Sequence, residues 1–234
     1  MRNPVIVALD VPSVDGALKL VEQLAPVVGA FKVGSELFTT AGPDIVRTIR
    51  ASGASVFLDL KFHDIPNTVA KSVAAATRLN VQMLTVHTSG GPAMLQAAEQ
   101  AAHETARQLG CPVPLVLGVT VLTSMDASEL AAVGQTADPA NQVQRLATLA
   151  AQSGLRGLVC SPLEVATLRH LLPAPMQLVT PGIRAANETH GDQKRTLSAR
   201  EAIAAGANWL VIGRPIYGAA NPRRAAEDIV ASLS

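Results

Sequence analysis

Phe57-Leu58-Asp59-Leu60-Lys61-Phe62-His63-Asp64-Ile65-Pro66-Asn67-Thr68 opens as a strand and closes at the approach to a helix. Gly53 precedes it, and Ser55, Val56, Phe57 and Leu58 are apolar or β-favouring. Alternation along a strand sets Asp59 and Lys61 on one face and Leu58 and Leu60 on the other. A carboxylate and an ammonium set between residues that must be buried are costly unless they pair. Asp64 and Pro66 end the strand, and Thr68–Arg78 reads as a helix. Three formally charged groups, Asp59, Lys61 and Asp64, thus fall at one strand-to-helix junction. A structural pair of Asp59 and Lys61, with Asp64 capping the helix, explains them as well as a functional site does. The stretch alone leaves both readings open.

Its surroundings give the fold. Eight β-like runs alternate with helical segments: Val5–Leu9, Ala30–Val33, Val56–Leu60, Val81–Val86, Leu115–Val119, Gly157–Cys160, Gln177–Val179 and Trp209–Ile212. Most are continuous apolar runs, as parallel strands covered on both faces require. Between them lie Ala- and Leu-rich segments such as Val14–Leu24, Ala93–Leu109, Ala140–Gln152 and Arg200–Ala205. Eight β-α repeats in 234 residues predict an α/β fold, a single TIM (β/α)8 barrel with little decoration. A doubly wound open sheet is the alternative, but no GxGxxG follows the first strand and no Walker P-loop occurs. No linker or second composition zone interrupts 1–234, so one domain is expected.

Composition narrows the class. A chain 48% hydrophobic and 3% aromatic supports a compact aliphatic core, and a net charge of +1 gives no electrostatic case for nucleic acid or a membrane surface. Cys111 and Cys160 lie far apart without CxxC spacing, which suits small buried residues in a reducing compartment better than a disulfide or zinc site. No apolar run reaches 18 residues, and Pro4 to Leu9 ends in Asp10 rather than at a small-residue cleavage site. A cytoplasmic protein is expected.

A barrel of this kind builds its active site at the C-terminal ends of the strands. Those ends carry Asp10, then Lys32, then Asp59 and Lys61, then His87; further on come Thr123, the run Pro181-Gly182-Ile183-Arg184, and Gly213-Arg214-Pro215. One structural salt bridge does not need four charges at one mouth, so the functional reading gains. The loops after strands 7 and 8 often hold phosphate. Here they carry Arg184, Gln193, Gly213 and Arg214; the arginine offers a forked donor and the glycine a close backbone approach. Residues 185–197 are polar and aperiodic, as a lid that orders on ligand binding would be.

With these residues in place, the sequence resembles the orotidine 5′-phosphate decarboxylase family, bacterial type, over nearly its whole length. Asp59-Leu60-Lys61-Phe62-His63-Asp64-Ile65-Pro66-Asn67-Thr68 matches that family's DxKxxDIPNT pattern. Phe31-Lys32-Val33-Gly34, Pro181 to Arg184, Asp192-Gln193-Lys194-Arg195 and Gly213-Arg214-Pro215-Ile216 support it. Ser198, where many members carry proline, is the one departure noted, and it lies outside the functional positions. The resemblance implies decarboxylation of orotidine 5′-monophosphate to UMP, the last step of de novo pyrimidine synthesis, without metal or organic cofactor. It implies that Lys61 protonates C6 and that Lys32, Asp59 and Asp64 complete a charged network, Asp64 acting in the neighbouring subunit of a homodimer. Asp10, Lys32 and Thr68 would hold the ribose, Thr123 the pyrimidine, and Gln193, Arg214, Gly213 and Arg184 the phosphate.

The chemistry makes sense of these residue types. Loss of CO2 from C6 leaves an in-plane anion with no adjacent carbonyl sink, and a preorganised ammonium stabilises that charge and then delivers a proton. The nearest rival is a Mg²⁺-dependent sugar-phosphate decarboxylase or aldolase sharing DxKxxD; the continuation Ile65-Pro66-Asn67-Thr68 favours the nucleotide enzyme. A non-catalytic nucleotide-binding barrel would have no need for Lys61 between two carboxylates. Cys160 has no identifiable base beside it, and His87 reads as a hydrogen-bonded core histidine.

Overall fold

In the computed structural model, which describes residues 3–172, 175–183 and 196–233, parallel strands close into a barrel in sequence order. They are β1 (Val5–Ala8), β2 (Ala30–Gly34), β3 (Val56–Phe62), β4 (Met83–His87), β5 (Leu115–Val119), β6 (Gly157–Val159), β7 (Gln177–Thr180) and β8 (Trp209–Ile212), and β8 pairs with β1. Helices pack outside: α1 (Val14–Leu24), α2 (Ser35–Ala41), α3 (Asp44–Ala51), α4 (Pro66–Arg78), α5 (Pro92–Leu109), α6 (Ala127–Ala132), α7 (Pro139–Gln152), α8 (Val165–Leu171), α9 (Ala199–Ala204), α10 (Arg214–Tyr217) and α11 (Pro222–Ala231). The expected TIM barrel is therefore the fold.

The strand pattern divides the core in two. Ile6, Ala8, Ala30, Phe57, Met83, Leu117, Val179, Trp209 and Val211 form an apolar cluster of alternate strand residues, which fills the barrel. Strand residues of the other parity, such as Val5, Val7, Phe31, Leu58 and Leu84, join the helices in a larger outer cluster. That parity positions the site. Continued toward the strand ends, the inner set becomes Lys32 on β2, Asp59 on β3 and Thr85 on β4, so polar side chains take over where the apolar filling stops.

Local chemistry moves several boundaries. Helix α4 starts at Pro66 rather than Thr68, because proline at the first helical position has no N–H to leave unsatisfied. Its N-cap is Ile65, with no side-chain cap, and the Asp64 carboxylate instead accepts from the Ile65 N–H at 2.6 Å. The alternative in which Asp64 caps this helix is thus not what the structure shows. Strand β4 begins at Met83 and includes His87, which pairs with Val119. Helices α2 and α3 between β2 and β3 were not read from the sequence. The helix expected over Arg200–Ala205 is Ala199–Ala204, and Ser198 caps it. Its hydroxyl accepts from the Glu201 N–H, and the Glu201 carboxylate accepts from the Ser198 N–H at 2.9 Å. The Ser198 hydroxyl also donates to the Glu201 carboxylate, and that bond first, then the one from the Ser198 N–H, holds the exposed Glu201 carboxyl below the usual range.

The largest departure from simple alternation lies in β3. Pairing with β4 runs from Leu58 opposite Leu84 to Phe62 opposite Val86, so Asp59, Leu60 and Lys61 together face the single residue Thr85. The strand bulges, and Lys61 takes a left-handed backbone with φ +50°. A lysine held there is strained, at a cost of about 1–3 kcal/mol, and persists where the surroundings over-determine it.

Candidate active site

Four charged side chains form a chain across the mouth of the barrel. Lys32 Nζ donates to Asp10 Oδ1 at 2.9 Å and lies 3.8 Å from Asp59 Oδ2. Lys61 Nζ donates to both oxygens of Asp59, at 3.0 and 2.9 Å. The order is Asp10, Lys32, Asp59, Lys61, along the ends of β1, β2 and β3. Side-chain exposure runs from 11% for Lys32 and 12% for Asp59 to 36% for Lys61 and 47% for Asp10. The inner pair is therefore withdrawn from water, where its charges interact more strongly, while Lys61 stays accessible to a ligand.

The backbone explains this placement. Gly34 follows Lys32 at the end of β2, and a Cβ there would stand 3.0 Å from Lys32 Nζ and 3.4 Å from Asp10 Oδ1. Its hydrogen leaves that pair its room. Across the bulge, Thr85 bonds to both the Lys61 backbone and the Asp59 carboxylate.

These groups line a cavity of about 610 Å³, ample for a nucleotide-sized ligand. Asp10, Lys32, Asp59 and Lys61 form one wall. Val119, Val121, Val159 and Cys160 bring an apolar wall from the β5 and β6 ends, and Thr123, Pro181, Gly182, Gly213 and Arg214 complete the rim. Tyr217 and Glu36 also line it, and neither was singled out from the sequence. Gly213 closes near β1: a Cβ on it would lie 3.2 Å from the Tyr217 ring and 3.6 Å from Ala8 Cβ.

The other expected residues fall elsewhere. Asp64 and Thr68 are exposed and do not line their own chain's cavity; neighbouring Ile65 is 66% exposed, unusually high for an isoleucine. Arg184, Gln193 and all of the expected lid 185–197 up to residue 195 lie outside the described residues, and Leu197, at its exit, forms a parallel bridge with Ile183. His87, half-buried, stacks obliquely on His63 with ring centroids 5.5 Å apart. Burial first, then the neighbouring His63 and Lys61 charges, hold its pKa below the ordinary histidine value, against the opposing pull of Asp59. Thr85 was missed in sequence, although a polar residue at inner parity in the middle of Met83-Leu84-Thr85-Val86-His87 signals it.

Barrel and site define a class, a (β/α)8 enzyme with two lysines paired to carboxylates at its C-terminal mouth and an arginine on the same rim after β8. The chain belongs to the Orotidine 5'-phosphate decarboxylase / HUMPS family, whose model matches residues 3–229. It is 51% identical over 233 residues to an orotidine 5'-phosphate decarboxylase of Pseudomonas fluorescens strain SBW25, covering 100% of this chain and 98% of that one. A relative from Pseudomonas syringae pv. tomato is 50% identical over the same span and carries the same name. Among solved structures, the orotidine 5'-phosphate decarboxylase of Lactobacillus acidophilus superposes with a TM-score of 0.88 at 37% identity, covering 99% of each chain. The Pyrococcus horikoshii OT3 enzyme, with a TM-score of 0.78 at 24% identity and 98% coverage of each chain, shows the shared fold.

Proposed function

We propose that this chain decarboxylates orotidine 5′-monophosphate to UMP, with Lys61 as the proton donor. The observation that carries the reading is the placement of Lys61 Nζ on both oxygens of Asp59, at the mouth of the cavity and one step from Lys32. The C6–carboxylate bond breaks heterolytically, CO2 leaves, and the electron pair stays on C6. The Lys61 ammonium stabilises that pair and transfers a proton to it, giving UMP and a neutral amine that solvent reprotonates. Asp59 and Asp10 hold the two lysines in register, so little reorganisation is needed as charge develops.

The rest of the substrate is assigned by chemistry. Asp10 and Lys32 hold the ribose hydroxyls, Thr123 meets the pyrimidine edge, and Gly213 and Arg214 receive the phosphate together with Gln193 and Arg184. The apolar wall of Val119, Val121 and Val159 faces the ring and strengthens the electrostatics by excluding water. The protein acts as a single-domain cytoplasmic homodimer, with Asp64 and Thr68 serving the partner's cavity; their exposure beside Ile65 supports this. Among the described residues no helix is long and apolar enough to cross a membrane.

The test is the fall in absorbance of orotidine 5′-monophosphate incubated with purified protein and EDTA. Conversion to UMP with a stoichiometric release of CO2 supports the reading; no conversion by folded protein overturns it.

A further inference from the structure

The geometry points to Thr85 as a positioning residue for this reaction: its hydroxyl fixes the Lys61 backbone and the Asp59 carboxylate relative to one another. The inference rests on the proposed decarboxylase reading and adds a residue to it.

Three observations carry it. First, Thr85 is fully buried at inner parity on β4 and does not line the cavity, so it acts on a ligand only through its neighbours. Second, its Oγ1 accepts from the Lys61 N–H at 2.9 Å and donates to Asp59 Oδ1 at 2.9 Å. A hydroxyl has one proton. With the Lys61 N–H directed at the oxygen, that proton goes to the carboxylate, and the two bonds orient each other. Third, Thr85 alone faces Asp59, Leu60 and Lys61 across the bulge. In an unbroken ladder a strand carbonyl would take the Lys61 N–H; here the threonine side chain takes it, at the residue whose φ is +50°.

The consequence is a closed loop from the Lys61 N–H through the hydroxyl and the Asp59 carboxylate back to Lys61 Nζ. One side chain thereby sets both where the lysine's backbone sits and how the carboxylate that clamps its ammonium is turned. Without the hydroxyl, a buried N–H and a carboxylate oxygen each lose a partner, and the strained backbone is free to relax. Lys61 Nζ then drifts from the reacting carbon, which penalises the transition state more than substrate binding.

The experiment compares Thr85→Val, Thr85→Ser and Thr85→Ala with wild type, measuring kcat and KM for orotidine 5′-monophosphate well below each variant's melting temperature. Thr85→Val keeps the shape and lacks the hydroxyl. Its kcat is expected to fall by about 10- to 100-fold with KM changed less than about threefold, matching the loss of a hydrogen bond to a charged group. Thr85→Ser is expected to recover most of kcat. A Val variant within threefold of wild-type kcat, or a Ser variant as impaired as Val, overturns the inference. Should Thr85→Val not fold, the Ser-to-Ala ratio of kcat isolates the hydroxyl, and a ratio near one overturns it equally. Lys61→Ala runs alongside. If it abolishes turnover while the Thr85 variants are silent, the decarboxylase reading stands and only the role of Thr85 falls; if it too keeps its activity, both fall.

Discussion

Lys61 Nζ is held by both carboxylate oxygens of Asp59, at 3.0 and 2.9 Å, although the two residues lie on a bulged strand whose backbone turns left-handed at Lys61 itself. This pairing leaves the ammonium accessible at the cavity and its position set from behind. Lys61→Ala is therefore expected to lower kcat by at least about 10³-fold, a loss of ~4 kcal/mol in transition-state stabilisation. Arg214→Ala is expected to act mainly on KM, raising it by about 10- to 100-fold, because the phosphate lies far from the bond that breaks. Steady-state kinetics of the two variants separate the roles; a Lys61→Ala enzyme with more than about a tenth of wild-type kcat, only ~1.4 kcal/mol down, sinks the mechanism.

Turnover is expected to be unchanged by EDTA and not stimulated by Mg²⁺. Asp10 is engaged by Lys32, and Asp59 by Lys61 with Lys32 close by, so ammonium groups stand where a divalent ion between these carboxylates would have to sit. Loss of activity after exhaustive chelation, restored by Mg²⁺, would instead place the chain with the sugar-phosphate enzymes that share its motif.

Gly34→Ala should separate activity from stability. Gly34 has φ −91° and ψ −179°, which alanine adopts freely, but the new Cβ would stand 3.0 Å from Lys32 Nζ. The mobile end of Lys32 yields by a few tenths of an ångström, and its pairing with Asp10 shifts with it. The expected outcome is a fold stability within about 0.5 kcal/mol of wild type and a kcat lower by roughly 3- to 30-fold. Urea unfolding and kinetics on the same preparation check both halves.

His87 provides a pH test. Its pKa is held down by burial, His63 and Lys61, so its NMR titration midpoint should lie below the ordinary value of about 6.5. Between that midpoint and about pH 6.5 the unfolded chain binds more protons than the folded one, so stability falls as pH falls through the window. His87→Gln is expected to flatten this part of the stability profile. A wild-type midpoint at or above 6.5 contradicts the argument.

The barrel was legible because its strands are continuous apolar runs separated by helical segments, a pattern that survives small boundary errors. The charged mouth was legible for the same reason: Asp10, Lys32 and Asp59 sit at the ends of such runs, where parity decides what faces inward. Asp59 and Lys61 share the cavity, as alternation predicts, but they do so across a bulge with a positive φ on the lysine, which leaves no mark in a sequence read residue by residue. Thr85 was passed over because a threonine is at home in any strand; its meaning comes from the three residues of β3 opposite it. Helix α4 began early because Pro66 serves as its first residue, where the sequence reading took the proline as the end of the strand.

The last prediction is that each active site is shared between two chains. Asp59 and Lys61 reach the cavity of their own barrel, but Asp64 follows the end of β3, where the chain turns outward into α4. There Asp64, Ile65 and Thr68 are exposed, and among the described residues the Asp64 carboxylate is bonded locally, to the Ile65 N–H. An exposed isoleucine next to an aspartate and three residues before a threonine suits a surface that meets a second barrel and lends it polar groups. Lys61→Ala and Asp64→Ala homodimers should each be severely impaired. A mixed dimer holds one site with both side chains intact and one with neither, so co-refolding the two inactive variants should restore activity at one working site per mixed dimer. If mixed dimers form, as shown by differential tagging, and the mixture remains as inactive as its parents, Asp64 acts within its own chain and the shared-site reading is wrong.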